Sequence, residues 1–181
     1  ADALDLSTTY RGEVTGTPIE FDPLITTPQT FDPRKSVTVY SGPEGEEKAQ
    51  KTYSYNYEGK VVKNFTEFTY SADVLTDSWT FRAGNAVFAY GAVTKGNKMS
   101  HTTYSGPEAE EKAQRTYSYD YAGAIVKATT VFHYTADALD LSTTYRGEVT
   151  GTPVEFDPLG ASTQTFDPRK SITVYSGPEG E

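Results

Sequence analysis

Lys51-Thr52-Tyr53-Ser54-Tyr55-Asn56-Tyr57-Glu58-Gly59 alternates tyrosine with short polar residues and ends on an Asx-x-x-Gly group. A period of two is the pattern of a strand with one half-buried face, here carrying Tyr53, Tyr55 and Tyr57. Asn56 first and Gly59 fourth supply the chemistry of a type I turn that closes a hairpin with a bulge. A strand is therefore expected to return at once, over residues 60–70. The passage recurs 64 residues later, where Tyr117, Tyr119 and Tyr121 alternate and Asp120 and Gly123 form the turn.

Comparing the two returning strands predicts which face lies inside. Val62, Thr66, Phe68 and Tyr70 reappear as Val126, Thr130, Phe132 and Tyr134, whereas Val61, Phe65, Glu67 and Thr69 become Ile125, Thr129, Val131 and His133. The unchanged set is assigned to the core and the drifting set to the less constrained face. Further strand patterns lie at Ser78–Arg82, Ser142–Arg146 and Thr38–Tyr40. Ser41–Gln50 and its copy Ser105–Gln114 carry a serine N-cap, an early proline, glutamates and then Lys-Ala-Gln, which predicts one short helix per unit.

The hairpins belong to a longer period. Residues 136–181 restate residues 1–46 with six changes, and the group opening at Ser36 recurs at Ser100 and Ser171, spacings of 64 and 71 that sum to 135. This divides the chain into the tail of a long unit (1–35), a short unit (36–99), a long unit (100–170) and the start of another (171–181). The register reads as a window on a longer array. The long unit differs by an insert bearing Phe21-Asp22-Pro23 and Phe31-Asp32-Pro33, copied at Phe156-Asp157-Pro158 and Phe166-Asp167-Pro168. Proline removes a donor and restricts the residue before it, so these are expected in a long loop or edge.

Composition narrows the function. Tyrosine and threonine are abundant, 36% of residues are apolar and 13% aromatic, which suits a thin, tyrosine-rich sheet core. A net charge of −9 repels phosphate backbones and anionic lipid surfaces. No nucleic-acid partner is expected. Cysteine is absent, so disulfides and thiolate metal sites are excluded. No apolar run reaches the roughly 18 residues that a spanning helix needs.

Tyr117-Ser118-Tyr119-Asp120-Tyr121-Ala122-Gly123-Ala124-Ile125 resembles the tyrosine-aspartate (YD) repeats of the Rhs and teneurin type, with pattern Tyr-x-Tyr-Asp-x-x-Gly followed by an aliphatic residue. The short unit has Asn56 in place of the aspartate. The resemblance covers about nine residues per unit. It implies β-hairpins wound side by side into an extended sheet, in giant proteins that are secreted or exposed at the cell surface.

No residue group stands out for catalysis, and no cofactor is expected. His101 and His133 occupy positions held elsewhere by Val37, Ile172 and Thr69, an interchange that fits a surface role, since a general base needs a fixed partner. Glu44, Glu46 and Glu47, with Glu108, Glu110 and Glu111, offer the oxygen ligands that calcium takes. They lack the spacing of a calcium loop and are expected to cap helices. Asn64-Phe65-Thr66 matches a glycosylation sequon on the inferred core face, and its copy has Ala128. The expected architecture is all-β, with tandem hairpins stacked into an elongated or solenoid-like array. The expected function is a structural segment of an extracellular fibre, stalk or filament, with adjacent repeat units or copies of itself as partners. An adhesin or glycan-binding stalk is the first alternative, and a wall segment of a YD-type toxin cage the second.

Overall fold

A computed structural model describes residues 3–159 and 165–175. The chain is all-β, with ten antiparallel strands in one open sheet whose spatial order follows the sequence. The strands are β1 (Leu6–Tyr10), β2 (Arg34–Ser41), β3 (Lys48–Tyr55), β4 (Val62–Ser71), β5 (Val74–Ala83), β6 (Lys95–Ser105), β7 (Lys112–Tyr119), β8 (Val126–Thr135), β9 (Ala138–Arg146) and β10 (Arg169–Val174). Two compact units divide them, one running to Thr69 and including Ser78–Asn97, the other comprising Tyr70–Asp77 and the chain from Lys98 onward.

The helices expected at Ser41–Gln50 and Ser105–Gln114 are hairpin loops instead. β2 runs to Ser41 and β3 starts at Lys48, with Ser41 opposite Lys48 and Tyr40 opposite Ala49. Glu46 N–H donates to the Pro43 carbonyl at 3.0 Å, and Gly45 N–H to Glu47 Oε2 at 2.9 Å. Gly42 has φ +130°, and a Cβ there would lie 2.8 Å from the Glu46 carbonyl oxygen. The cap-like residues thus build a tight loop, because one helical turn gains little against its nucleation cost while strand pairing uses every backbone group. Among the described residues the one helical element is a 3-10 turn, Tyr90–Ala92.

The Asx-x-x-Gly turns have the geometry that their sequence demands. Asn56 Oδ1 accepts from Lys60 N–H (2.9 Å) and Val61 N–H (3.1 Å), and Asp120 Oδ1 accepts from Ala124 (2.8 Å) and Ile125 (3.2 Å). Those backbone donors, Ile125 first and Ala124 next, hold the Asp120 carboxyl below its ordinary range. Gly59 and Gly123 both take φ +72°. Tyr57 and Tyr121, read as core, lie inside these turns and are exposed at 86% and 78%. The tyrosine face of the strand ends at Tyr55 and Tyr119.

The inner face of the first unit also departs from expectation. Tyr53 pairs with Val37 and Phe65, while Ser54 pairs with Asn64 and Tyr55 with Val62, so Lys63 is an extra residue. This bulge reverses the alternation of β4: Val62 faces in, and so does Phe65, whereas Thr66 and Phe68 turn to the other face. Val62 (1% exposed) and Phe65 (4%) join Val37, Tyr53, Tyr55 and Phe81 in one cluster. Residues 84–94 cover it, with Phe88, Tyr90 and Val93 packed on the sheet. Tyr55 Oη donates to the Phe88 carbonyl at 2.8 Å.

In the second unit the same bulge separates Val126 from Ala128, and the inner residues are Thr129 and Val131 rather than Phe132 and Tyr134. Thr129 is fully buried. Its Oγ1 donates to the Gly147 carbonyl (2.7 Å) and accepts from Val149 N–H (3.1 Å), drawing the chain after β9 across the sheet. Val131, Tyr145 and Val149 form this smaller cluster. The Ala136–Asp137 turn joining β8 and β9 has φ +48° and +70°. Ala136→Asn should stabilise the chain by about 0.5–1 kcal/mol, because Asn tolerates the left-handed region that such two-residue turns require; urea denaturation reads the shift.

Candidate functional site

The feature that most resembles a built site is the insert, present as residues 11–33 and, as far as described, 146–168. Both copies are anchored in the same way. Arg11 N–H donates to the Pro33 carbonyl at 2.9 Å, and Arg146 N–H to that of Pro168 at 2.8 Å. Further out, Asp32 N–H donates to the Ile19 carbonyl (2.8 Å), and Asp32 Oδ2 accepts from Ile19 N–H (2.8 Å). Asp167 and Val154 repeat this at 2.8 and 2.7 Å. The Phe21 and Phe31 rings lie 5.1 Å apart, as do those of Phe156 and Phe166. Asp22 and Asp157 each close the tip by accepting from the residue two ahead, Leu24 and Leu159, at 2.9 Å.

A charged clamp fixes each insert to the sheet. Glu20 is held between the Tyr10 hydroxyl and the Arg34 guanidinium, the latter at 2.6 Å. Glu155 accepts from Tyr145 Oη at 2.8 Å and from Arg169 Nε at 2.6 Å. Burial, reinforced by the hydrogen bond and charge of Glu155, pushes the Tyr145 phenol up to about 12. The hydrogen bond from Tyr145, with Arg169, holds Glu155 below its ordinary value. The signs give a window at each end of the pH scale. As pH rises from about 10 to about 12, the unfolded chain loses the Tyr145 proton before the folded one does, so stability falls. On the acid side, the contribution of Glu155 is present above its unfolded value and is lost as pH falls through its depressed folded value. Tyr145→Phe should flatten the alkaline decline, which thermal melts between about pH 9 and 12 measure directly.

The other candidates have structural roles. His101 Nε2 lies 2.6 Å from Asp77 Oδ1, and its ring stacks on Tyr117 at 5.8 Å between centroids. His133 is exposed on β8. Glu47 accepts from Leu4 N–H at 2.9 Å, just ahead of β1, and Glu111 from Leu75 N–H in β5 at 2.8 Å, so these glutamates tie a hairpin loop to an earlier part of the chain. The Leu4 contact, first among its causes, lowers the Glu47 pKa. Among the described residues no group of three or more His, Cys, Asp or Glu is placed to hold a metal ion. Asn64 stands opposite Ser54, beside buried Phe65.

Sequence reasoning missed the Tyr-Glu-Arg clamp, whose members are separated by 10 and 14 residues and follow no local period. Its signal was identity between copies: Glu20 and Glu155 match while the adjacent Ile19 and Val154 differ. No family model matches the chain, and no curated protein or solved structure matches it.

Proposed function

We propose that the chain is a structural segment of a long extracellular β-repeat protein, its hairpin units propagating into a fibre, stalk or filament. One observation carries this reading. β1 pairs with β2 through Leu6–Val39, Ser7–Thr38, Thr8–Val37, Thr9–Ser36 and Tyr10–Arg34. β9 pairs with β10 through Leu141–Val174, Ser142–Thr173, Thr143–Ile172, Thr144–Ser171 and Tyr145–Arg169. Every pair in the second set is the first set displaced by 135 residues, with the bulge in the same place. A junction that forms twice by the same contacts is one that further units form again. The YD-like turns support placement outside the cell, and no helix among the described residues is long and apolar enough to cross a membrane.

Small-angle scattering from tandem concatemers of the 135-residue period tests the reading. A rod gains radius of gyration in proportion to the number of periods, whereas a compact body follows about the 0.38 power of chain length. Power-law growth of the compact kind would sink the proposal. An adhesive stalk is the second reading, favoured by the insert tips, where Leu24 is 87% and Leu159 95% exposed. Saturable binding on a glycan array, lost in Leu24→Ser/Leu159→Ser, would select it.

A further inference from the structure

The face opposite the aromatic cluster carries a row of threonines. In the first unit Thr38 stands opposite Thr52 and Thr52 opposite Thr66, and the Thr66 and Thr80 hydroxyls are bonded at 2.8 Å. In the second, Thr102, Thr116, Thr130 and Thr144 stand opposite one another in turn. All are half-buried. The segments that pack on the sheet, around Phe88 and around Val149, contribute to the inner clusters and leave this face uncovered by them.

Much of the variation between the copies falls on the covered face. Between the copies, the inner-face residues Val37, Phe65, Glu67 and Trp79 become His101, Thr129, Val131 and Thr143, while Tyr53, Tyr55 and Val62 recur as Tyr117, Tyr119 and Val126. On the threonine face each of the four threonines is kept, and Tyr40 and Phe68 return as Tyr104 and Phe132. A threonine ladder that is kept whole while much of the covered face drifts is constrained by something outside its own unit. We propose that this face docks against the same face of a second copy of the chain, sheet on sheet. The pairing goes beyond end-to-end propagation and stands whether or not that occurs.

Three observations select this occupant. The hydroxyls are already committed to each other, Thr38 to Thr52 at 2.9 Å, Thr102 to Thr116 at 2.8 Å and Thr130 to Thr144 at 2.9 Å. A hydroxyl with a partner is cheap to desolvate and is not aimed outward at a hydrated sugar. The neighbouring row Ser36–Ser54–Asn64 is uncharged, and so is Ser100–Ser118–Ala128 up to Arg146, in a chain of net charge −9. Copies that repel elsewhere can meet there. Finally, the array recurs at a fixed stride in both units, and the surface that shares its period is the array itself.

Sedimentation of the full chain from about 10 μM to 1 mM reads the association. The expected result is a dimer that persists in high salt, is weakened at least tenfold by Thr52→Lys/Thr116→Lys, and is kept by Thr52→Val/Thr116→Val. Thr26→Lys/Thr150→Lys carries the same charge change on exposed loops and should leave it intact. Because the chain has no cysteine, Thr66→Cys gives an independent reading with little risk to folding. A short bis-maleimide should link it into dimers and leave Thr26→Cys monomeric. A wild-type chain that stays monomeric, association unchanged by lysine on the threonine face, or equal cross-linking of both cysteine variants would overturn the proposal.

Discussion

Gly59→Ala should lower the unfolding free energy by about 3–5 kcal/mol, while Gly12→Ala should cost about 1–2 kcal/mol. Both glycines have positive φ, +72° and +79°, so both substitutions incur left-handed strain. Only Gly59 meets backbone. A Cβ there would lie 2.5 Å from the Arg34 nitrogen and 2.7 Å from Pro33 Cα, whereas nothing lies within 4 Å of the one at Gly12. Neither neighbour is a flexible side-chain tip, so relief requires moving the point where the insert returns to β2. Arg34 also clamps Glu20, and the displacement should loosen the insert as well as the Asn56 turn. Urea denaturation of both variants gives the comparison; a difference under about 1 kcal/mol would mean that the close approach does not constrain the native state.

The contrast between these glycines shows what the sequence can and cannot reveal. That Gly59 ends a turn was readable from Asn56 three residues earlier, since Asx and glycine at that spacing have a local physical meaning. That it lies under Pro33 was not, because the contact spans 26 residues. Strand positions were legible for the same local reason. The alternation that marks Tyr53 and Tyr55 as buried was carried too far, into Tyr57, because a period of two does not announce where the turn begins. Ser41–Gln50 was misread because capping chemistry and hairpin-loop chemistry draw on the same residues. What decides between them is whether Ser41 and Lys48 have strand partners.

The insert was legible as proline-broken loop but not as an anchored element. Glu20 looks like any exposed acid until Tyr10 and Arg34 are seen on either side of it. Repetition was the one long-range signal in the sequence, and it locates Val62 in the core but misplaces Thr66, Phe68 and Tyr70, which the bulge at Lys63 turns to the other face. Sameness between copies does not by itself mark burial. Tyr53, Tyr55 and Val62 are buried and recur, but other buried positions change together with their covers: Phe65 packs in the cluster beneath residues 84–94, and Thr129 is bonded beneath Gly147 and Val149. Sameness is most continuous along the threonine ladder.

The two sides of β4 therefore give the sharpest test. Phe65→Ala should cost about 3–5 kcal/mol, because the ring is 4% exposed and stacks between Tyr53 and Phe81 with centroids 5.7 Å from each. Phe68→Ala, three residues on and half-buried on the other face, should cost about 1–2 kcal/mol in the isolated chain, since less apolar area is lost and no enclosed cavity is left. In the second unit Thr129→Val removes an acceptor and a donor at a fully buried position and should cost about 1–3 kcal/mol despite preserving shape. Measured well below the concentration at which copies pair, the order Phe65 above Phe68 locates the core. Repeated at high protein concentration, the Phe65 cost should stay constant while the Phe68 cost rises, because only there does a second sheet complete the burial of that ring. An unchanged Phe68 cost across that range would leave the threonine face facing water and remove the reason for its constancy.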